Sequence, residues 1–188
     1  MNTKGKVKRM TKEDREKQIL SSALKVFVEK GYNGATTQEI AKSADVSEVT
    51  LFRYFASKEE IFMKSVDPII IDTLKDSITA SDKLSPVEQF KYVLTERMKV
   101  ISTNYEVLRL ILMESQISDK FGEMDYITKV TNIIKDMMLK TGMEIENEEL
   151  ALRLLMGGIL SFLYIPDEKG ENIKEFVEKI TNSLKSCF

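Results

Sequence analysis

Apolar residues recur along the chain at spacings of three and four rather than in alternation, from about position 11 almost to the end, which is the pattern of amphipathic helices. The first helix opens at Thr11 as N-cap, with Glu13 and Asp14 facing the positive end of its dipole. Its stripe is Ile19, Leu20, Ala23, Leu24, Phe27 and Val28, and Gly31 after Lys30 supplies the left-handed stop. Thr36 with Glu39 three places on is a capping box for a second helix of about two turns, burying Ile40, Ala41 and Ala44. Asp45-Val46 makes a short turn, and Ser47 caps a third helix through Ala56. Ser57 with Glu60 opens a fourth, in which Pro68 predicts a kink, because Ile69, Ile70, Ile71 and Leu74 carry the apolar face past it.

Ser85-Pro86-Val87-Glu88 starts the next helix, with Pro at the first helical position, running to about Ser102. Further helices are expected near Tyr105–Ile117, near Glu123–Lys140 with its stop at Gly142, and from an Asn147 cap to Ile165, where Pro166 breaks it. Asn172, with Glu175 as N3, caps the last helix, whose stripe is Ile173, Phe176, Val177, Ile180 and Leu184. The expectation is an all-α fold of about nine helices with no strand and no repeat.

Composition narrows the chemistry. With 43% hydrophobic and 31% charged residues over 188 positions, the chain is globular. It has no His, which excludes Ser-His and Cys-His pairs and every His metal site. The single Cys187 excludes an internal disulfide and any multi-thiolate site, so neither a metal nor a cofactor is expected. The longest uncharged apolar run, Leu154 to Ile165, falls short of a membrane span, and the basic N-terminus lacks the apolar stretch of a signal peptide. A cytoplasmic location is the expectation. The net charge of −2 hides an asymmetry: residues 1–64 carry +4 and residues 65–188 carry −6. A basic end on an acidic body suggests one surface for a polyanion and another for something else; a solvated lysine tail is the plain alternative.

The informative stretch is 34–60. Two short helices joined by a tight turn, the second opening with small or polar residues, form a helix-turn-helix, whose second helix enters the DNA major groove. Leu51 and Phe55 can anchor the third helix on Ile40, Val46 and the first helix. Val49 and Arg53 then point outward, flanked by Thr50 and Phe52. The run from Gly34 to Ile61, with Arg53-Tyr54-Phe55 and Ser57-Lys58-Glu59-Glu60-Ile61 in register, resembles the DNA-binding signature of the TetR family of transcriptional regulators. The resemblance covers roughly Thr11 to Val66; beyond that it rests on length, helix count and a paired C-terminal helix pattern.

That resemblance implies roles. Thr37 and Thr50 match phosphate-contacting hydroxyls, Tyr54 and Lys58 match backbone contacts, and Glu48 and Val49, just after Ser47, hold the base-reading positions. Val49 suits a thymine methyl and Glu48 a cytosine amino group. Asp45 and Val49 stand where the family often has Gly, and Phe52 replaces a Tyr whose hydroxyl often bonds phosphate. Phe52, Tyr54 and Thr37 also have plain packing or capping readings. Three segments follow: a basic arm over 1–10, a DNA-binding domain over 11–56, and a ligand-binding and dimerisation domain over 57–188.

The remainder of the chain holds seven Met between Met98 and Met156, interleaved with aromatics. Such stripes usually form plain core; alternatively some line a cavity for an apolar or amphipathic molecule. Candidate liners are Met98, Ile101, Leu108, Leu112, Met113, Gln116, Met137 and Phe162. Glu96, Arg97, Arg109 and Glu114 could orient a ligand, although surface pairing suits most of them better. The run from Leu154 to Ile165 is apolar on every side, and Gly157 and Gly158 suit close approach by another helix. Leu154, Gly157, Gly158, Ser161, Ile173, Phe176, Val177, Ile180 and Leu184 are therefore the expected homodimer interface, an ordinary buried hairpin being the alternative. The reading is a homodimeric repressor of palindromic double-stranded DNA, released by a small ligand and not an enzyme; the alternative is an adaptor or nucleoid-associated protein of the same fold controlled by a protein partner.

Overall fold

A computed structural model of the chain describes residues 10–115, 126–167 and 169–186. Those residues form helices α1 (Lys12–Gly34), α2 (Thr37–Ser43), α3 (Glu48–Tyr54), α4 (Lys58–Asp67), α5 (Thr73–Ala80), α6 (Pro86–Thr103), α7 (Tyr105–Ser115), α8 (Tyr126–Lys140), α9 (Glu148–Tyr164) and α10 (Ile173–Ser186), with a π-helical turn over Pro68–Asp72. No strand occurs among the described residues. The fold is all-α. Most of the basic arm, Gln116, and the expected helix start at Glu123 lie outside the described residues. The chain divides into two compact units, Met1–Val66 and Asp67–Phe188, so nearly all of α4 belongs to the first.

Local sequence sets the helix starts. Thr11, Ser47 and Asn147 each accept the N–H three residues on, and Thr36 with Glu39 and Ser85 with Glu88 close full capping boxes. At α4 the box is shifted. Ser57 Oγ accepts the Glu60 N–H at 3.2 Å, but the Glu60 carboxylate reaches back to the Ala56 N–H at 2.6 Å. Gly31 interrupts α1 at φ 72°, a region open to glycine at no steric cost.

In the first unit, Ile19, Ala23, Phe27, Ile40, Leu51, Phe55, Ile61 and Val66 are buried together with an aromatic trio. Phe62 meets Phe27 and Tyr32 edge-on at centroid distances of 5.1 and 5.3 Å, the geometry the ring quadrupoles favour. Tyr32 stacks on Phe27 at 5.8 Å. In the second unit the core draws on α5, α6, α8, α9 and α10, among them Phe90, Leu94, Met98, Met138, Leu155 and Phe162.

Pro68 does more than kink a helix. It cannot donate to a carbonyl one turn back, and the chain adopts a π-turn in which the Thr73 N–H reaches the Pro68 carbonyl. The hydroxyl of Thr73 donates to the Ile69 carbonyl at 2.5 Å.

The α10 stripe differs from its expected use. Ile173, Val177, Ile180 and Leu184 are buried in the core of their own unit, because that face of α10 lies against α6 and α9. Phe176 joins them, edge-on to Phe162 at 5.2 Å. Gly158 is the close-approach point for this packing: a Cβ there would sit 2.8 Å from Phe176 Cζ and 2.9 Å from Ile180 Cδ1. Gly157 faces open space.

Candidate nucleic-acid interface

The turn between α2 and α3 is a Schellman motif. The Val46 N–H bonds the Ala41 carbonyl at 3.0 Å, and the Asp45 N–H bonds the Lys42 carbonyl at 3.2 Å. This closure requires a left-handed residue, and Asp45 holds φ 52°. Asp is one of the few side chains that tolerate that region, which explains how it replaces glycine here. Gln18 of α1 donates to the Ala44 carbonyl at 3.1 Å and pins the turn to the first helix.

Leu51 and Phe55 bury the inner side of α3, so its outer side is fixed. Val49 is 82% exposed and Phe52 47% exposed, with Glu48 and Arg53 also at the surface. The Arg53 guanidinium lies 5.9 Å from the Tyr54 ring centroid. At the start of α3, Ser47 Oγ accepts the Thr50 N–H at 3.1 Å and lies 2.9 Å from the Thr50 hydroxyl. Thr37 Oγ1 donates to Glu48 Oε1 at 2.5 Å, drawing that carboxylate toward the first turn of α2. The predicted contact residues Thr37, Ser47, Glu48, Val49, Thr50, Phe52 and Arg53 thus belong to α2, the α3 cap and α3.

Lys58 is placed otherwise than a free phosphate ligand. Its ammonium donates to the carbonyls of Tyr32 and Ala35, both at 3.0 Å, and lies 4.5 Å from the Tyr32 ring centroid. It ties the start of α4 to the end of α1, satisfying carbonyls where that helix stops. On the same side, Lys30 binds Glu39 at 2.5 Å. The Lys30 hydrogen bond, with those from Thr36, lowers the Glu39 carboxyl from 4.5 to about 2. The same bond raises Lys30.

The second unit contains an apolar cavity of about 110 Å³. It is lined by Ile69, Ile70, Arg97, Val100, Ile101, Leu108, Ile111, Leu112, Val130, Met156, Ile159, Leu160 and Leu163. Three of the predicted liners, Ile101, Leu108 and Leu112, are in its wall. Met98, Met137 and Phe162 are buried in the neighbouring core, Met113 is 61% exposed, and Gln116 is outside the described residues. Arg109 is at the surface. Arg97 is not: only 5% exposed, it donates from Nη1 to the Ile70 carbonyl at 3.0 Å and from Nη2 to Thr73 Oγ1 at 2.6 Å. Its Nε is buried without a partner. Desolvation lowers this guanidinium to about 10, which leaves it cationic at neutral pH.

Residues 19–63 match the family model described as bacterial regulatory proteins, tetR family. This match places the helix-turn-helix region of the chain in the TetR family of transcriptional regulators. It is 35% identical to the HTH-type transcriptional regulator PksA of Bacillus subtilis over 54% of this chain and 49% of that one. With RutR of Escherichia coli it shares 30% identity over 60% of this chain and 55% of that one. The chain thus spans about half the length of these curated relatives. Among solved structures it superposes on FadR from Bacillus subtilis, crystallised with stearoyl-CoA, with a TM-score of 0.71 at 17% identity, covering 92% of this chain and 98% of that one. That likeness shows the fold.

The cavity residues beyond the expected set come mostly from α9 and from the π-turn. A π-turn re-aims every side chain after it, so Ile69 and Ile70 could not be assigned to a wall from periodicity. Arg97 gave a signal only as one of four charged residues on apolar helices. No described helix is long and apolar enough to cross a membrane.

Proposed function

We propose that the protein is a homodimeric repressor that reads a palindromic operator through α3 and is released by a small apolar or amphipathic ligand. The observation that carries the DNA reading is the outer face of α3: a nearly bare Val49, with Phe52 and Arg53 beside it, on a helix whose other side is locked by Leu51 and Phe55. No packing need explains that exposure, whereas a major groove accepts a helix of this size. Val49 would meet a thymine methyl. Glu48, held by Thr37 through one oxygen, would accept from a cytosine amino group through the other. Thr37, Thr50 and Tyr54 would position the backbone, and Lys58 would act chiefly by fixing α4.

Dimerisation is supported by a seam on α9. Leu150, Leu154, Gly157, Ser161 and Tyr164 recur at alternating spacings of four and three, the repeat of two helices packed along their length. Leu150, Leu154 and Tyr164 are exposed, and none of the described residues fills the space over Gly157. A glycine inside a helix costs about 1 kcal/mol, and a second copy approaching closely would offset it. Two copies would present two α3 helices to successive major grooves about 34 Å apart.

The cavity is the ligand site in this reading. Its aliphatic wall with a single cation supports an apolar or amphipathic effector. Ile69 and Ile70, in the turn that continues α4, line it. Ligand entry would therefore act on that segment and deplete the DNA-competent population, and DNA would weaken the ligand by the same factor. Gel shift of the full chain against its own upstream region tests the reading. Selective, dimer-stoichiometric retardation supports it. Equal retardation of every duplex, with release only by another protein, would favour an adaptor or nucleoid-associated role.

A further inference from the structure

We propose that Arg97 reads a carboxylate, and that the effector is an organic monoacid with an apolar body. The proposal rests on the cavity being the effector site. Arg97 is the one charged side chain among the lining residues, and the rest of the wall is aliphatic or thioether. Among the described residues no carboxylate pairs with it: Glu96, next in sequence, bonds Lys99 at 2.9 Å. Two of its nitrogens are committed to Ile70 O and Thr73 Oγ1, which are neutral acceptors, and Nε has none. A buried cation held only by neutral groups is electrostatically incomplete. A guanidinium presents Nε–H and an adjacent N–H as a parallel pair, which is the geometry a carboxylate accepts.

Charge narrows the class. One cation in an apolar wall is neutralised by a monoanion, whereas a doubly charged phosphate would carry an uncompensated charge into the same space. A carboxylate on an apolar chain meets both the cation and the aliphatic wall.

Calorimetry on the full-length protein with hexanoate and 1-hexanol decides the matter. Hexanoate should bind at least about tenfold more tightly than 1-hexanol. Arg97→Met should abolish the preference for the acid, and Arg97→Lys should restore part of it. The acid-to-alcohol ratio on the native protein needs no variant, so a misfolded substitution does not protect the proposal. Equal binding of hexanoate and 1-hexanol, or a preference that survives Arg97→Met, overturns the assignment and leaves the cavity as the effector site. Binding of neither overturns both.

Discussion

Asp45 sits at φ 52°, where a side chain is normally unfavourable, and the Schellman closure before α3 depends on it. Asp45→Gly should therefore raise stability in urea unfolding by up to about 1 kcal/mol, while Asp45→Val should lower it by at least as much. Lys58 presents a second residue-level case. Because its ammonium holds the Tyr32 and Ala35 carbonyls, Lys58→Ala should lower stability by about 1–2 kcal/mol without any DNA present. An unchanged urea midpoint would return Lys58 to a purely phosphate-binding role. Glu39 gives a pH signature. Its folded value near 2 lies below the ordinary 4.5, so its contribution is complete above about 4.5 and is lost as pH falls toward 2. The stability gap between the native protein and Glu39→Gln should close across that window and be absent below it. The sequence assigns Lys58 by its register with the family signature; that register cannot show that two carbonyls at the end of α1 lie within its reach.

At the scale of elements, capping residues made the helix starts readable. Thr36 with Glu39, Ser85 with Glu88, and Asn147 act within four residues, so no tertiary knowledge was needed to place α2, α6 and α9. The π-turn was not readable, since a proline inside an apolar pattern is consistent with a kink and a π-turn alike. Nor was the fate of the α10 stripe, because an apolar face does not reveal whether its partner is in the same chain. The two glycines of α9 now separate. Gly158→Ala should destabilise the chain, its Cβ meeting Phe176 and Ile180 below 3 Å. Gly157→Ala meets nothing, and should stabilise the isolated subunit by about 1 kcal/mol while weakening the dimer. Sedimentation and urea unfolding on the two variants, read together, check this opposition.

For the whole molecule, a +4 N-terminal region and a −6 remainder fit a protein that offers one end to a polyanion and keeps the rest from it. The outer face of α3 was legible because Leu51 and Phe55 fix which side of α3 is outward, and the helical period does the rest. The apolar cavity was only partly legible, since its wall depends on how α7, α8, α9 and the π-turn are rotated. The central claim is that α3 reads bases. Its most direct test is selection of binding sites from a random duplex pool by the native protein and by Val49→Ala and Thr50→Ala. The native chain should enrich a palindrome, Thr50→Ala should bind the same palindrome more weakly, and Val49→Ala should enrich an altered one. Enrichment of an unchanged sequence by Val49→Ala, with affinity lost evenly across all duplexes, would contradict base reading by α3.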